Sequence, residues 1–296
     1  RSPNYHTVVI LYGDVPLVRE STVRRMAETV TPDSLALLTV ELGEPTGYGR
    51  IVRDTQGRVR RIVEEKDATP EERRVTEINT GVLAATAGRL KRWLAAVDNR
   101  NVQGEYYLTD VIAKAAAEGV NIHTVAPRDA REIMGINDKV QLAQAERAFQ
   151  AERADALMRA GVTLQDPARF DVRGTLTAGR DVVIDVGVVI EGEVTLGDGV
   201  RVGPYTMIRD ARLGDGVHVL SHCVIEQATV GAGCRIGPFA RIRPGTELAA
   251  DAHVGNFVES KASTIGAVSK GNHLSYVGDA AVGDRVNVGA GSMTCN

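Results

Sequence analysis

Aromatic side chains and cysteines are scarce in this sequence of 296 residues. Aromatics make up 4% of the chain. Three cysteines are too few for a disulfide scaffold, and an odd number of them cannot all pair with one another. No stretch approaches the run of about 18 apolar residues that a membrane helix needs. The formal net charge of −3 lacks the basic excess of a dedicated nucleic-acid binder. We therefore expect a cytoplasmic protein with no membrane partner and no nucleic-acid partner.

The rest of the composition is that of a folded chain. Apolar residues account for 43% and charged residues for 25%, with 31 glycines. This length suits two domains or one large domain. The sequence begins at Arg1 without a methionine and stops at Asn296 inside a repeating pattern. We therefore expect a piece of a longer protein, truncated at both ends.

Strand-like and helix-like segments alternate in the first half. Residues 7–11 form a β-branched apolar run, which suits a strand buried on both faces of a parallel sheet. Residues 21–30 have helical spacing, with Ser21 as the expected N-cap. Residues 51–52 and 58–63 flank a turn and predict a hairpin. The alternation predicts an α/β domain, which we assign to residues 1–137.

A long helix is predicted between the two halves, over residues 138–160. Ala, Gln, Glu, Arg and Leu dominate this segment. Asn137 or Asp138 can cap its start, and Gly161 can follow its end. About 22 residues at about 1.5 Å each would span roughly 33 Å, which is enough to separate two domains.

From residue 161 onward an aliphatic residue recurs every six positions, with two slips of register. Six is not close to a multiple of the helical period of 3.6, and a six-residue repeat is typical of a parallel β-helix. We assign residues 161–296 to this fold, with glycine expected at the corners that need a positive φ. The pattern resumes at Ile265, Val282 and Val288. The thirteen matches that precede these are Ile184, Ile190, Leu196, Val202, Ile208, Leu213, Val219, Ile225, Val230, Ile236, Ile242, Leu248 and Val254.

A carboxylate follows the first predicted strand. Asp14 comes after Tyr12 and Gly13, and ligands of open α/β sheets bind at the carboxyl ends of strands. Asp14 is therefore a candidate to hold Mg²⁺ on a phosphate, and an ordinary turn aspartate is the alternative.

Polar residues interrupt the small-residue rhythm of the second half. Arg243 and Lys261 could hold a phosphate, and His273 is the best candidate for a general base because its ordinary pKa is near working pH. A solvated outer face is the alternative for each. His218 and His222 could suggest zinc, but residues four apart on a β-helix do not return to one face.

Several motifs, taken in order, resemble a known family. The sequence is similar to bacterial bifunctional N-acetylglucosamine-1-phosphate uridyltransferases and glucosamine-1-phosphate acetyltransferases, over essentially the whole chain. This resemblance implies a Rossmann-like nucleotidyltransferase domain, present in part, and a left-handed parallel β-helix of hexapeptide repeats. The motifs are LYGDVPL (11–17), PTGYGRI (45–51), VEEKDA (63–68), EINTG (77–81), QGEYYLTD (103–110), ARIRPG (240–245), NFVESK (256–261), HLSYVGD (273–279) and NVGAG (287–291).

For the first half, the resemblance implies uridylyl transfer from UTP to N-acetylglucosamine-1-phosphate. Asp14 and Asn137 would hold Mg²⁺, and Tyr12 and Gly13 would border the nucleotide. The residues that would lie at the sugar are Gly49, Glu64, Asn79, Tyr107 and Thr109. The family's glycine-rich loop for the triphosphate does not precede Asp14, so we expect this chain alone to bind UTP weakly.

For the second half, the resemblance implies acetyl transfer from acetyl-CoA to glucosamine-1-phosphate within a homotrimer. His273 would accept the amine proton, oriented by Glu259, and the backbone at Ala290 would stabilise the oxyanion. The remaining implied substrate-binding residues are Arg243, Lys261, Tyr276, Asn287 and Asn296. We expect little turnover from this chain by itself.

Two other interpretations remain open. The chain could come from another sugar-1-phosphate nucleotidyltransferase whose β-helix serves only assembly, or it could be a non-catalytic β-helical trimer scaffold. The polar residues around His273 and Asn287 argue against the first, because a purely structural coil does not need them, and the scaffold stays open for this chain by itself.

Overall fold

A computed structural model describes residues 6–99 and 104–294. The chain divides into two compact units, Arg1–Ala145 and Glu146–Asn296. The division falls inside a long helix, and the domain boundaries drawn from the sequence stay a prediction. In the part of the chain that is described, no helix combines the length and apolar character required to cross a membrane.

The first unit is a mixed sheet with helices on both faces. Its strands follow the order β4-β3-β5-β2-β6, and β1 pairs with β5 next to this path. The elements are β1 (Thr7–Ile10), α1 (Glu20–Thr29), β2 (Ser34–Glu41), β3 (Arg50–Arg53), β4 (Val59–Val63), β5 (Glu77–Thr86), α2 (Ala87–Ala95), α3 (Asp110–Ala117) and β6 (Asn121–Val125), followed by α4 (Lys139–Arg159).

Strand β2 shows why this sheet has two covered faces. Leu35 belongs to an apolar cluster with Trp93 of α2, while its neighbour Ala36 belongs to a second cluster with Met26 of α1. Successive side chains of a strand point to opposite faces, so a continuous apolar strand needs a helix on each side. The predicted α/β class is confirmed.

The orientation predicted for the first strand is wrong. Strand β1 pairs antiparallel with β5, with Thr7 opposite Thr86, and its residues are only half-buried. Among the described strands of this unit, β2 and β6 alone run parallel. An apolar run indicates burial but does not fix the direction of the neighbouring strand. The predicted hairpin is confirmed, since β3 pairs antiparallel with β4.

Helix α4 begins and ends with the predicted caps, whereas helix α1 does not begin at its predicted cap. Helix α1 begins at Glu20, so Ser21 lies inside it, and the N-cap Arg19 makes no side-chain cap bond. Helix α4 is capped as predicted, because the Asp138 carboxylate accepts from the Gln141 N–H at 2.7 Å. At its other end Gly161 has a φ of +101°. The Val162 N–H then donates back to the Leu157 carbonyl at 3.0 Å, which completes a glycine C-cap.

The second unit is a stack of short parallel strands. Every pairing between its described strands is parallel, which confirms the β-helix of hexapeptide repeats. The strands are β7 (Thr163–Leu164), β8 (Asp171–Ala178), β9 (Val183–Ile184), β10 (Val189–Leu196), β11 (Arg201–Val202), β12 (Met207–Arg209), β13 (Arg212–Leu213), β14 (His218–Val219), β15 (Val224–Glu226), β16 (Thr229–Val230), β17 (Arg235–Ile236), β18 (Arg241–Ile242), β19 (Glu247–Leu248), β20 (His253–Lys261), β21 (Thr264–Ile265), β22 (Lys270–Gly278), β23 (Ala281–Val282) and β24 (Asn287–Val288).

The thirteen aliphatic residues of the repeat fill the interior. All of them are at most 3% exposed and belong to one cluster. Strand register stacks them in three columns: Ile190, Ile208, Ile225 and Ile242; Ile184, Val202, Val219, Ile236 and Val254; and Leu196, Leu213, Val230 and Leu248. One coil cannot bury its own apolar side, so stability comes from contacts between neighbouring coils.

Each coil turns three corners, and each corner residue has a positive φ. Thirteen of these residues are not glycine, although glycine is the residue that adopts this conformation at little cost. The first corner carries Gly187, Tyr205, His222, Phe239, Phe257, Leu274 and Gly291; the second carries Gly174, Gly192, Asp210, Gln227, Gly245, Ala262 and Asp279; the third carries Asp181, Gly199, Gly216, Gly233, Asp251, Val268 and Arg285.

The second half of α4 covers the open edge of the first coil. The Gln150 amide donates to the Val172 carbonyl at 3.1 Å and accepts from the Val172 N–H at 2.8 Å. Arg153 donates to the carbonyl of Gly174, and Arg147 pairs with Asp171 at 2.7 Å. An uncovered edge of β8 would leave backbone groups free to pair with another chain, and the helix prevents this.

Removing one interior side chain tests the stack. We expect Ile225→Ala to lower the free energy of unfolding by about 2–5 kcal/mol, because it leaves a cavity between packed coils. Urea denaturation followed by circular dichroism measures the change. The matched control is Thr229→Ala, at an exposed strand position of the same coil, which should change stability by no more than about 0.5 kcal/mol. Equal effects of the two variants would contradict an interior column.

Candidate functional sites

A cleft of about 450 Å³ opens in the first unit where several strands end. Its walls come from the segments after β1 and β4, the segment before β3, the middle of β5, and the start of α4. The lining residues are Tyr12, Asp14, Val15, Thr46, Gly47, Tyr48, Gly49, Glu64, Asn79, Thr80, Gly81, Ile133, Gly135, Asn137 and Gln141.

The cleft brings together six of the nine residues proposed for uridylyl transfer. Gly13 does not line it, and a Cβ at Gly13 would meet no atom within 4 Å. Thr109 lies behind the wall, where its hydroxyl donates to Glu64 Oε1 at 2.9 Å. Tyr107 also lies outside the lining, in the turn that starts α3. The six residues in the lining are Tyr12, Asp14, Gly49, Glu64, Asn79 and Asn137.

Two glycines let side chains close this wall. A Cβ at Gly49 would lie 2.9 Å from Ile62 Cγ2 and 3.3 Å from Glu64 Oε2. Gly81 has a φ of +83°, and a Cβ there would lie 2.1 Å from Cε2 of Tyr12. The Tyr12 ring therefore rests directly on the backbone of β5. Its pKa is raised, first by burial and then by the charges of Glu64 and Asp14, so the phenol stays protonated as a hydrogen-bond donor.

The donor set at one end of the cleft suits magnesium. Asp14 supplies a carboxylate and Asn137 an amide oxygen, and the Ile136 N–H donates to the Asp14 carbonyl at 2.9 Å, which ties the two segments together. Mg²⁺ is commonly held by one or two such oxygens together with substrate phosphates. Within residues 6–99 and 104–294, no group of three or more His, Cys, Asp or Glu side chains could enclose a metal by itself.

Sequence reasoning missed Arg50, which fixes the loop in front of β3. Arg50 is 1% exposed, its Nη2 lies 2.6 Å from Glu65 Oε2, and its Nη1 donates to the carbonyl of Tyr48. The ion pair between buried Arg50 and half-buried Glu65 therefore anchors the backbone at Tyr48 and Gly49. The only available sign was an arginine next to a glycine-rich segment, and arginines are usually exposed.

In the second unit, one face carries a column of alternating charge. Glu191 is in register with Arg173 on one side and Arg209 on the other, and Arg209 is in register with Glu226. The ion pairs Arg173–Glu191 and Arg209–Glu226 are both 3.3 Å long. Opposite charges facing each other across strands are favourable.

The alternation breaks at the two cations proposed to bind phosphate. The pairing of Ile225 with Ile242 and of Ile242 with Ser260 places Arg243 next in the column and Lys261 after it. Each has an acid partner beside the column: Glu259 lies 2.8 Å from Arg243, and Asp279 lies 3.1 Å from Lys261. Two adjacent cations in one column make a location where an anion would be favourable.

Tyr276 lies on the same face as these cations, in the next coil. It is in register with Glu259, and Gly278 is in register with Lys261. A Cβ at Gly278 would clash with the Tyr276 hydroxyl oxygen, so the phenol lies across Gly278. In this structure the Glu259 carboxylate pairs with Arg243 rather than with His273.

His273 and Asn287 lie on the adjacent face of the β-helix. His273 comes just before the corner at Leu274 and is exposed, whereas Tyr276 comes just after it. Asn287 is in register with Lys270 on the same face as His273. Because Gly271 is in register with Val288, Ala290 follows His273 in the next coil. Asn296 lies outside the described residues.

An aromatic stripe runs along this corner and ends next to His273. It consists of the four neighbouring rings of Tyr205, His222, Phe239 and Phe257, and the apolar side chain of Leu274 continues it at the same corner of the next coil. Their ring centroids are 5.2, 4.8 and 5.4 Å apart in order. Phe257 is 56% and Leu274 is 60% exposed. We call these five residues the aromatic stripe.

The two histidines considered for zinc lie in different surroundings. His222 stacks in the aromatic stripe, whereas His218 lies on β14 in register with Arg201 and Arg235. The pKa of His218 is lowered by burial and then by these two arginines, so it stays neutral at working pH.

Comparisons with known proteins confirm the resemblance given by the motifs. The chain is 58% identical over 294 residues to the "Bifunctional protein GlmU" of Alkalilimnicola ehrlichii, covering 99% of this chain and 63% of that protein. It is 58% identical over 291 residues to the protein of the same name from Methylococcus capsulatus, covering 98% of this chain and 63% of that protein. The chain thus spans less than two thirds of the length of these relatives.

Two further comparisons concern the β-helix. Residues 172–270 match the family described as the GMPPB C-terminal domain. Among solved structures, the UDP-N-acetylglucosamine acyltransferase of Campylobacter jejuni is 15% identical with a TM-score of 0.26, and covers 42% of this chain and 66% of its own. A likeness this distant carries no argument about function.

Proposed function

We propose that this chain is part of a bifunctional enzyme of the kind named GlmU, acting in the cytoplasm. The β-helix would transfer an acetyl group from acetyl-CoA to glucosamine-1-phosphate, and the cleft would transfer uridylyl from UTP to N-acetylglucosamine-1-phosphate. The product, UDP-N-acetylglucosamine, serves cell-wall and lipopolysaccharide precursors. The observation that carries the proposal is the identity of 58% with relatives of that name over nearly the whole chain.

In the cleft, the chain's own residues would bind and orient. Asp14 and Asn137 would hold Mg²⁺, which supplies charge neutralisation on the phosphates. Asn79 and Glu64 present polar groups to the sugar, and Tyr12 closes one wall with a protonated phenol. Such transfers depend mainly on positioning and electrostatics, so a prearranged wall is what the protein contributes.

On the β-helix, the two cations would hold the sugar phosphate while His273 serves the amine. The amine nitrogen attacks the thioester carbonyl, His273 takes the proton that the nitrogen loses, and the coenzyme A thiolate leaves. The backbone around Ala290, which follows His273 in the stack, would stabilise the oxyanion that forms during the attack. Arg243, Lys261 and Tyr276 would bind the phosphate and sugar.

The cleft carboxylate can be tested with an isosteric change. In the whole enzyme of which this chain is part, we expect Asp14→Asn to reduce uridylyl transfer by about 100-fold or more, because removing the anionic oxygen weakens Mg²⁺ binding. A pyrophosphate-release assay measures it, with raised Mg²⁺ as a partial rescue. Acetyl transfer by the same variant serves as the control and should remain unchanged. Full uridylyl transfer in the variant would remove Asp14 from the metal site.

The base on the β-helix is tested independently. In the whole enzyme of which this chain is part, we expect His273→Ala to reduce acetyl transfer by about 10²–10⁴-fold, the usual contribution of a general base, and to leave uridylyl transfer intact. Release of free thiol from acetyl-CoA measures the reaction. If His273→Ala keeps full acetyl transfer, the β-helix has a structural role as in the other nucleotidyltransferases. Equal loss of both activities would contradict separate sites.

We also propose that the chain forms a homotrimer around the aromatic stripe. Three triangular prisms packed about a three-fold axis each place one corner at the axis, and the two faces beside that corner meet the other two copies. With the aromatic stripe at the axis, His273 on one face would approach Arg243 and Lys261 on the neighbouring face of another copy. The exposed apolar corner and the division of the candidate residues over its two faces support this arrangement.

Charge on the aromatic stripe should break the trimer. We expect Phe239→Asp combined with Phe257→Asp to shift the mass in light scattering from three chains toward one. Asp251 and Asp210 occupy other corners with positive φ, so the fold tolerates aspartate at such positions. The control is Val268→Asp, an equally exposed apolar residue at the third corner, which should stay trimeric. A wild-type monomer, or loss of the trimer by the control alone, would contradict the proposal.

A further inference from the structure

One coil of the β-helix has a serine at each of its three corners. Ser263, Ser269 and Ser275 are six residues apart, and each directly follows a corner residue with positive φ. All three side chains point into the interior, where they are 3%, 0% and 6% exposed. This coil carries Lys261 at its start and His273 near its end.

Other coils fill the same inward positions mostly with apolar side chains. The position of Ser275 is occupied by Thr206, Cys223, Ala240 and Val258 in the preceding coils. The position of Ser269 is occupied by Val200, Val217, Cys234 and Ala252, and that of Ser263 by Ala211, Ala228 and Thr246. A buried hydroxyl costs free energy unless it is hydrogen-bonded, so three in one coil need partners.

Each serine hydroxyl finds its partner in the following coil. Ser263 Oγ donates to the Val277 carbonyl at 3.2 Å, Ser269 Oγ to the Gly283 carbonyl at 2.6 Å, and Ser275 Oγ to the Gly289 carbonyl at 3.0 Å. All three bonds span fourteen residues. The hydroxyls therefore join this coil to the next at every corner.

Two of the three serines also contact the backbone of candidate site residues. Ser275 Oγ lies 3.1 Å from the His273 carbonyl oxygen, so its one proton is shared between this carbonyl and that of Gly289, the residue before Ala290. Ser263 Oγ likewise lies 2.8 Å from the Lys261 carbonyl oxygen. Ser269 donates to the Gly283 carbonyl and accepts from the N–H of Val286, the residue before Asn287.

We propose that Ser275 and Ser263 are positioning residues of the acetyl-transfer site, which rests on the function proposed above. The Ser275 hydroxyl fixes the distance between the His273 backbone and the coil that carries Ala290. The Ser263 hydroxyl fixes the distance between the Lys261 backbone and the coil that carries Tyr276. Thr206 makes the same kind of bond in the column of Ser275, to the Leu220 carbonyl, in a coil without candidate residues of the site. It is therefore the matched control.

The first experiment compares Ser275→Ala with Thr206→Ala in the whole enzyme of which this chain is part. Alanine occupies their shared column at Ala240, so both variants should fold. We expect Ser275→Ala to lower kcat for acetyl transfer by about 10- to 100-fold with KM for acetyl-CoA little changed, since small displacements of a reacting group have large effects on rate. Thr206→Ala should stay within about twofold, and uridylyl transfer should be unchanged in both.

Rescue by threonine separates positioning from general packing. Thr206 occupies the column of Ser275 and donates to the Leu220 carbonyl, also fourteen residues on, at 3.1 Å. Ser275→Thr keeps the hydroxyl and should recover most of kcat. Ser275→Cys places in this column the side chain that Cys223 already provides three coils away, and it should not recover kcat, because a thiol is a weak donor. A threonine variant as slow as the alanine variant would overturn the positioning role.

Hydrogen exchange provides a measurement that needs no activity. We expect Ser275→Ala to speed amide exchange in residues 287–292 by about tenfold or more, while Thr206→Ala leaves that segment unchanged. Equal acceleration by both variants, or none by Ser275→Ala, would overturn the inference whatever the activity. A wild-type protein without acetyl transfer but with this exchange pattern would instead reject the proposed function and retain the local role of Ser275.

Discussion

The stacking of aliphatic side chains in three interior columns fixes everything on the outside of the β-helix. Because Ile225 must lie over Ile208 and under Ile242, every outward residue on the same strands acquires a set neighbour one coil away. Arg243 and Lys261, eighteen residues apart in the chain, become adjacent only through this register. Core packing thus determines which polar groups can act together, and a slip by one residue would exchange the inner and outer faces.

The sequence alone predicted which residues fill the interior of the β-helix but not which residues occupy its corners. An aliphatic residue at every sixth position can satisfy only one buried column per face, so the thirteen residues were identifiable by spacing alone. The corners were expected to be glycine, yet Tyr205 and Val268 adopt positive φ there. The strain of about 1 kcal/mol per residue is small beside the packing of a whole coil, so local propensity does not select these residues.

In the α/β unit, composition predicted the elements but not their pairing. The run at the start of the chain was recognised as a strand, but its antiparallel partner β5 lies more than sixty residues away, and no local feature encodes that choice. Arg50 was missed for a related reason, because its importance comes from the ion pair with Glu65, which exists only after folding. The close contact between Gly81 and Tyr12 likewise exists only after folding.

The small free energy of partly exposed ion pairs explains how Arg243 and Lys261 can be paired with acids and still bind an anion. The Arg243–Glu259 and Lys261–Asp279 pairs are about one third exposed on every side chain, and ion pairs of this exposure contribute roughly 0–1 kcal/mol. A phosphate with two charges can accept from both cations at once, including a bidentate contact from the arginine, which is a stronger interaction. The acids therefore hold the two cations in place at little cost, and an anionic ligand can displace them. The alternating pairs farther along the column have no second cation beside them, so they lack this exchange.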